Sequence, residues 1–514
     1  MSFTSIAFLC FLLLGLVVYY LVPGKWQWMV LLAASWVFYY SAGWHGFLYL
    51  AFTTISTYVA GLLLGKLNKE RSQLPPEQKK TGGERIKRKK KWVVAGAICL
   101  NFGLLFVVKY YNFTAQALHL PLPSLNLLVP LGLSFYMFQS IGYVVDCYRG
   151  KYEPQRNLAK FSLFTSFFPQ LIQGPISRYN ELGPQLLAPH KFQADNLKYG
   201  IQLAMWGYLK KMIADRAAVP VNTIFGDLDA YGGAFVAIAV AFYCIQLYCD
   251  FSGGIDIAIG AAQMFGIEVT PNFRRPIFAT TLTDFWRRWH ITLGTWMKDY
   301  VFYPMSLSKP LGKLGKFTRR KFGGKLGKII PTSIATFTVY FIIGIWHGAN
   351  FRYIFFGFWN GIIITGSFLL AGPLISLRNL LHIRENSLLH RWIGRVRTML
   401  IVFVGRYITR APRLLVAFSL LWKTVSTPCL YQLRDGTFLS LGLKALDYWV
   451  IGIGVVVILA LEWFQEQGTP IRKTLEKKSV LVQWLCIFLP LLILLVMHIL
   501  GGEYISSEFI YKQF

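Results

Sequence analysis

The chain has 514 residues, of which 55% are hydrophobic and only 15% are charged, and its formal net charge at pH 7 is +30. A soluble protein of this length would carry about a quarter charged residues, so the composition excludes an ordinary soluble enzyme. The basic residues lie in loops between apolar runs, which argues against a nucleic-acid-binding protein and favours contact with membrane lipids.

Apolar runs suited to membrane helices recur along the whole chain, since a span needs about 20 apolar helical residues. The first run has no basic residue before it and no cleavage pattern after it, which indicates a retained span rather than a signal peptide. The predicted spans are 3–22, 27–42, 46–65, 92–110, 126–147, 196–213, 232–249, 329–346, 351–371, 412–426, 447–463 and 480–499. We therefore expect an all-α, polytopic transmembrane helix bundle with about 11–13 membrane helices.

Basic loops predict the orientation of these spans. Residues 66–91 contain eleven lysines and arginines against three glutamates, and residues 309–328 contain eight basic residues and no acid. Both segments, and the arginine-rich segment 373–413, are expected on the cytoplasmic side, which places the amino terminus outside. The basic loops would also suit anionic lipid headgroups.

Two central segments do not fit simple spans. Residues 161–176 are apolar but are interrupted by Pro169, Gly174 and Pro175, which predicts a re-entrant segment lined by protein or by a water-filled cavity. Residues 250–300 are flanked by spans yet crowded with charge, Asp256 among them. Ionisable groups within a bundle are costly, so this segment is expected to contain the functional site.

Several familiar functional motifs are missing from the sequence. The seven cysteines and eight histidines lack metal-ligand spacing, so neither a metal nor a bound cofactor is expected. The chain has no G-x-x-x-x-G-K-[ST] loop for ATP-driven pumping and no G-x-S-x-G elbow of a serine hydrolase.

One candidate histidine, His290, lies in the segment DFWRRWHITLGTWMKDYVFYP at 284–304. Spacings of three and four residues predict one continuous helix whose aromatic face carries this imidazole. That face comprises Trp286, Trp289, His290, Leu293, Trp296 or Met297, and Tyr300. A hydrogen-bonded packing histidine is the alternative interpretation.

The second candidate, His347, is expected at the outer end of span 329–346, between Gly344 and Gly348, which would allow close approach of backbone or ligand. The same Trp-His-Gly triplet occurs at 44–46, so the triplet alone is weak evidence. A buried histidine could remove the proton from an alcohol that attacks an activated acyl donor.

Seven ordered blocks, densest from 126 to 361, make the chain resemble the membrane-bound O-acyltransferase family, in particular its bacterial alginate and peptidoglycan O-acetylation branch. The blocks are PLGLSFYMFQSIGYVVDCYRG at 130–150, FFPQLIQGPISR at 167–178, WGYLKKMIADR at 206–216, YCDFSGGIDIAIG at 248–260, NFRRPI at 272–277, FWRRWHITLGTWMKDYVFYP at 285–304 and IWHGANFRYIFFGFWNG at 345–361. The ending EFIYKQF at 508–514 also matches. Gly254, where a larger residue is expected, and the long basic loops depart from the branch.

The resemblance implies that His347 is the catalytic base and that His290 is the second characteristic histidine. It also implies a central funnel or tunnel through which a cytoplasmic thioester, such as acetyl-CoA or an acyl carrier protein, supplies an acyl group. A serine-hydrolase-like partner outside would complete transfer to a sugar hydroxyl. The candidate substrate-binding residues are Asp250, Ser252, Asn272, Arg288, Trp289, Lys298, Asp299, Trp346 and Asn350. Charge pairing explains the ionisable ones equally well.

The expected organisation is an N-terminal helical region at 1–125, a catalytic core at 126–372, and a C-terminal region at 373–514 that begins with a cytoplasmic loop. The leading functional hypothesis is a bacterial cell-membrane enzyme that O-acetylates a cell-surface polysaccharide. Two alternatives remain: a D-alanyl transfer protein for teichoic acids, and a non-enzymatic transporter or flippase of a lipid-linked glycan.

Overall fold

The computed structural model describes residues 1–385 and 387–500, and helices make up most of both ranges. Within these ranges the only β-pairing is a bridge between Phe273 and Trp289. The helices are α1 (Ile6–Leu21), α2 (Gln27–Tyr40), α3 (Trp44–Ser72), α4 (Thr81–Leu105), α5 (Tyr111–Ala117), α6 (Leu133–Arg149), α7 (Leu158–Ser166), α8 (Phe168–Leu171), α9 (Tyr179–Leu187), α10 (Ala194–Gly226), α11 (Gly233–Met264), α12 (Leu282–Arg288), α13 (Ile291–Met297), α14 (Tyr303–Ser306), α15 (Lys309–His347), α16 (Phe351–Leu369), α17 (Ala371–Leu380), α18 (Leu388–Arg410), α19 (Leu414–Ser426), α20 (Ala445–Glu466), α21 (Ile471–Glu476) and α22 (Val480–Leu500). The all-α expectation is confirmed, while the predicted match at 508–514 lies outside the described residues.

Helices long and apolar enough to cross a membrane are present, which confirms a polytopic membrane protein. They are Trp44–Ser72, Thr81–Ala117, Gly233–Met264, Leu326–His347, Ala445–Glu466 and Val480–Met497, with Phe351–Leu369 and Ala371–Leu380 as one bent pair. Large apolar side chains such as Leu415 and Trp422 are exposed, as expected of surfaces that face lipid rather than water. The other predicted spans coincide with helices that have fewer than 18 residues or carry several charges, and their crossing stays a prediction.

Three local expectations need revision or refinement. The run 126–147 is not helical throughout, because Pro130 and the left-handed Gly132 precede the first turn of α6. The segment 161–176 is broken, as predicted, into α7 and α8 and is almost entirely buried. The segment 373–413 is not a simple loop, since α17 and α18 occupy most of it, and α18 packs against α16 and α19.

The described chain divides into two compact units. The first comprises Met1–Ala204 and Gly254–Pro271, and the rings of Phe8, Phe38 and Phe168 pack together in its core. The second comprises Met205–Gly253 and the described residues from Asn272 onward. Both candidate histidines belong to this second unit, in which α15 and α16 pack closely together.

Candidate active site

The backbone at His290 breaks the helix that its sequence pattern predicts. Helix α12 ends before it, α13 begins after it, and His290 itself has φ 49° and ψ 54°, in the left-handed region. The expectation of one continuous aromatic helix face is therefore wrong. The physical reason is pairing with a distant strand-like segment: Arg274 N donates to Arg288 O at 2.9 Å and Ile291 N donates to Asn272 O at 3.0 Å. This pairing overrides local helix periodicity.

The side chain of Asn272 fixes the orientation of the His290 ring. Its Oδ1 accepts hydrogen bonds from Thr292 N at 2.9 Å and from Thr292 Oγ1 at 2.9 Å, and it lies 3.2 Å from His290 Nδ1. Because the backbone N–H of Thr292 can only donate, this Asn272 atom is an acceptor and His290 Nδ1 must be the donor. In the neutral imidazole, Nε2 consequently carries the lone pair.

His290 and His347 both lie close to one tryptophan. The Trp346 ring centre is 5.7 Å from that of His290 and 5.0 Å from that of His347. His290 is only 2% exposed, and His347 is half-buried. Burial lowers the pKa of His290 well below its usual range, and the neighbouring His347 lowers it further. His290 is therefore neutral at pH 7, as a proton acceptor requires.

A close helix crossing sets the position of His347, the last residue of α15. A Cβ atom added at Gly344 would lie 2.6 Å from Tyr353 O and 2.8 Å from Gly357 Cα, both in α16. Only glycine permits this approach, which confirms the expected role of Gly344. The approach brings the Tyr353 ring to 6.3 Å and the Phe356 ring to 5.9 Å from the ring of His347.

Aromatic rings enclose the His290 side of the site. The Phe251 ring centre lies 4.9 Å from that of His290, and Trp289 stacks on Phe285 at 5.6 Å. The guanidinium of the buried Arg406 lies 5.4 Å from the ring centre of Trp289. The predicted residues Asn272, Trp289 and Trp346 therefore gather around the histidine pair.

Asp250 and Ser252 flank Phe251 but have buried polar partners of their own. Lys211 Nζ lies 2.8 Å from Asp250 Oδ1, and Lys210 Nζ donates to Ser252 Oγ at 3.2 Å. Close packing makes this possible, because a Cβ at Gly253 would lie 2.7 Å from the backbone oxygen of Gly207. For Asp250, charge pairing accounts for the burial.

The remaining predicted binding residues are less directly connected to the histidines. Arg288 forms ion pairs with Asp284 at 3.0 Å and with Glu466 at 2.9 Å. Asn350 caps α16, where its Oδ1 accepts from Arg352 N at 3.1 Å. Lys298 is exposed, and its Nζ lies 5.6 Å from the ring centre of Tyr303. Asp299 is half-buried in the same π-helical turn, Lys298–Phe302.

Sequence reasoning missed several buried polar residues of this unit. Tyr248 donates a hydrogen bond to Glu462, and Arg216 pairs with Asp447 at 2.9 Å. The sequence did carry a signal for these residues: they lie within apolar stretches, where an ionisable side chain needs a partner. The identity of each partner, up to 231 residues away, could not be read from the chain.

Comparison with known proteins relates this site to an established family. The family model described as the membrane-bound O-acyltransferase family matches residues 155–409. A probable alginate O-acetylase of Azotobacter vinelandii is 33% identical over 433 residues, which cover 82% of this chain and 77% of that protein. The chain belongs to the membrane-bound O-acyltransferase family. The resemblance noted in the sequence is thereby confirmed, and this O-acyltransferase is an enzyme that transfers acyl groups.

Two relatives with other described activities span less of this O-acyltransferase. A peptidoglycan O-acetyltransferase of Helicobacter pylori is 30% identical, covering 54% of this chain and 55% of that protein. A teichoic acid D-alanyltransferase of Bacillus subtilis is 28% identical, covering 53% and 67%. The longer and stronger similarity to alginate O-acetylases favours the O-acetylation branch.

Proposed function

We propose that this O-acyltransferase moves an acetyl group from a cytoplasmic thioester to a hydroxyl of a cell-surface polysaccharide. The observation that carries the proposal is the similarity to an alginate O-acetylase over 82% of the chain. The paired histidines His290 and His347 supply suitable chemistry within that similarity. We place the enzyme in the bacterial cell membrane with its amino terminus outside, in keeping with the basic cytoplasmic segments 66–91 and 309–328.

In the proposed reaction His347 is the base that removes the proton of the attacking hydroxyl. The hydroxyl oxygen then forms a bond to the thioester carbonyl carbon, the carbon–sulfur bond breaks, and the departing thiolate takes the proton. His290 Nε2 would accept a hydrogen bond from the acceptor hydroxyl or hold the leaving thiol, while Asn272 acts as a positioning residue. General-base help of this kind is worth about 10²–10⁴-fold in rate.

Transfer across the membrane requires a path that joins a cytoplasmic donor to an outer acceptor. We propose that a central funnel or tunnel supplies it, with acetyl-CoA or an acyl carrier protein loading from inside. A serine-hydrolase-like partner would present the attacking hydroxyl outside, take the acyl group and complete its transfer to the sugar. The half-buried position of His347 at the end of α15 supports access from one side.

The test is release of labelled acetate from acetyl-CoA in proteoliposomes, with acyl carrier protein thioesters as a second donor. The intact enzyme is compared with His347→Ala and His290→Ala. The matched control is His45→Ala, because His45 shares the Trp-His-Gly triplet but is exposed. We expect release to fall at least about 100-fold for His347→Ala and to persist for the control.

Two other outcomes would redirect the assignment. Release from a D-alanyl carrier protein but not from acetyl-CoA would favour the D-alanyl transfer alternative. Equal release by all variants, or none with any thioester, would refute the acetyl-transfer mechanism. The absence of release with any thioester would leave transport of a lipid-linked glycan as the competing explanation.

A further inference from the structure

An apolar groove lies between helix α18 and the carboxyl-terminal half of α20. Its volume is about 820 Å³, within the roughly 300–1,000 Å³ of typical ligand-binding cavities. The apolar side chains that line it include Met399, Leu400 and Phe403 of α18 and Val456 and Leu459 of α20. Leu400 and Val456 are largely exposed, so the groove is open on one side.

One end of the groove carries a charge held among aromatic rings. Among the described residues that line the groove, Arg395 is the only charged one. Its guanidinium lies 5.2 Å from the ring centre of Trp392, 5.4 Å from that of Phe278 and 5.8 Å from that of Trp463. These contacts fix the cation at the edge of an otherwise apolar surface.

Arg395 has no anionic partner in the described part of the chain. Its Nε is buried without a hydrogen-bond partner, and no described carboxylate forms an ion pair with it. The carboxylate of Glu466, just beyond the groove in α20, is already paired with Arg275 at 2.7 Å and with Arg288 at 2.9 Å. Cation–π contacts offset only part of the cost of removing a guanidinium from water, so an anion from outside the chain would be favourable here.

Charged and apolar groups are separated along the groove as they are in a phospholipid. From Arg395 to Phe403 the helix rises about 12 Å, and every lining residue beyond Arg395 in that direction is apolar. Trp463, which shares the charged end, lies close to the carboxyl end of the candidate span Ala445–Glu466. Tryptophan and arginine are typical of the membrane–water interface, whereas aliphatic side chains face acyl chains.

The segment that follows α20 favours an anionic headgroup. Residues 467–478 contain Arg472, Lys473, Lys477 and Lys478 and a single acid, Glu476. Basic residues beside a span attract anionic lipids and are typical of the cytoplasmic side. In the proposed orientation the groove therefore opens to the inner leaflet.

We propose that the groove between α18 and α20 is a binding site for an anionic phospholipid, with the phosphate on Arg395 and an acyl chain along Leu400, Phe403 and Val456. The planar guanidinium fork suits phosphate oxygens because it binds them through two parallel hydrogen bonds. A phosphatidylcholine also carries a phosphate, but its quaternary ammonium group would lie among basic residues. The site does not depend on the proposed acetyl transfer.

The experiment measures the binding of single lipids to the full-length protein, delipidated in detergent, by native mass spectrometry. The probes are phosphatidylglycerol and phosphatidylcholine with identical acyl chains. Arg395→Gln removes the charge, whereas Arg395→Lys retains it. The matched control is Arg397→Gln, because Arg397 is exposed at the same end of α18 and does not line the groove. Ala460→Leu fills part of the groove without altering its charge.

We expect the intact protein to bind its first phosphatidylglycerol about 10-fold more tightly than phosphatidylcholine. This preference should disappear in Arg395→Gln, persist in part in Arg395→Lys and remain in Arg397→Gln. Ala460→Leu should weaken the binding of phosphatidylglycerol because its larger side chain occupies acyl-chain volume. A phosphatidylglycerol with a photoactivatable acyl chain should label peptides from 396–403 and 456–463, and less so in Ala460→Leu.

Equal affinity for the two lipids, or an equal loss of preference in Arg397→Gln, would overturn the site in favour of general surface charge. Labelling confined to other peptides would overturn its location. A dimer that Ala460→Leu dissociates, with lipid binding unchanged, would assign the groove to a second copy of the chain instead. Should Arg395→Gln fail to fold, Ala460→Leu and the labelled peptides still decide the outcome.

Discussion

Asn272 Oδ1 accepts a hydrogen bond from His290 Nδ1 at 3.2 Å, and the donors of Thr292 fix that oxygen in place. The contact selects one tautomer of an imidazole that is buried in aromatic surroundings. It also determines which ring nitrogen can accept a proton. Asn272 is therefore the residue through which the chemistry of His290 is most directly tested.

Replacement of Asn272 by Ala should lower kcat for acyl transfer by roughly 10-fold or more with little change in the KM for the thioester, because the ring loses its orientation. Asn272→Asp keeps an acceptor but adds a negative charge, which should raise the pKa of His290 and move the acid limb of the pH–rate profile upward. A KM increase with unchanged kcat in both variants would contradict a positioning role.

The two histidines should behave as one catalytic unit. If so, the double variant His290→Ala with His347→Ala will be about as slow as the more damaging single variant, because residues that act together have non-additive effects. Single-turnover rates with labelled thioester provide the comparison. Multiplicative losses in the double variant would indicate independent roles.

The left-handed backbone at His290 allows structure and chemistry to be separated. Asparagine tolerates this conformation but cannot act as a base, whereas a β-branched residue is strained there. His290→Asn should keep an apparent melting temperature close to that of the parent while losing acyl transfer, and His290→Val should lose both. Full activity in a folded His290→Asn protein would show that the imidazole is dispensable.

The lowered pKa of His290 predicts a pH dependence of stability. An unfolded imidazole protonates near pH 6.5, whereas the folded one stays neutral to lower pH, so the unfolded state binds more protons below about pH 6.5. The contribution is present above that pH and is lost as the pH falls. Apparent melting temperatures measured from pH 7.5 to 5 should therefore decline less steeply for His290→Asn. Parallel curves would contradict the assignment.

Substitutions in the ion pair between Lys211 and Asp250 test whether Asp250 has a structural role or binds the acyl donor. Lys211 also lies 2.7 Å from Asp215, so Lys211→Met removes the cation from the buried carboxylate of Asp250 and the half-buried one of Asp215, and should destabilise the fold by about 3–5 kcal/mol. Asp250→Asn should be milder and should leave the KM for the thioester unchanged. A folded Asp250→Asn protein with a much higher KM would instead support direct donor binding.

Much of the architecture can be predicted from the sequence, because the length of an apolar run and the charge of a loop are local properties of the chain. Helices such as α4, α11 and α20 could be predicted from hydrophobic runs, and the ordered blocks were sufficient to recognise the family. Gly344 was likewise identified, since a glycine within an apolar helix indicates close approach. These features depend on the residues themselves and little on distant partners.

The tertiary structure decided what surrounds each functional side chain. The helix predicted through His290 is interrupted because backbone groups at 272–274 pair with those at 288–291, a contact that no local periodicity encodes. Arg216 pairs with Asp447, which is 231 residues away in the sequence. Arg406 contacts aromatic rings and forms no ion pair with a carboxylate among the described residues. The energy of a buried charge depends on such neighbours, so the sequence determined which residues carry the chemistry and the fold determined what they do.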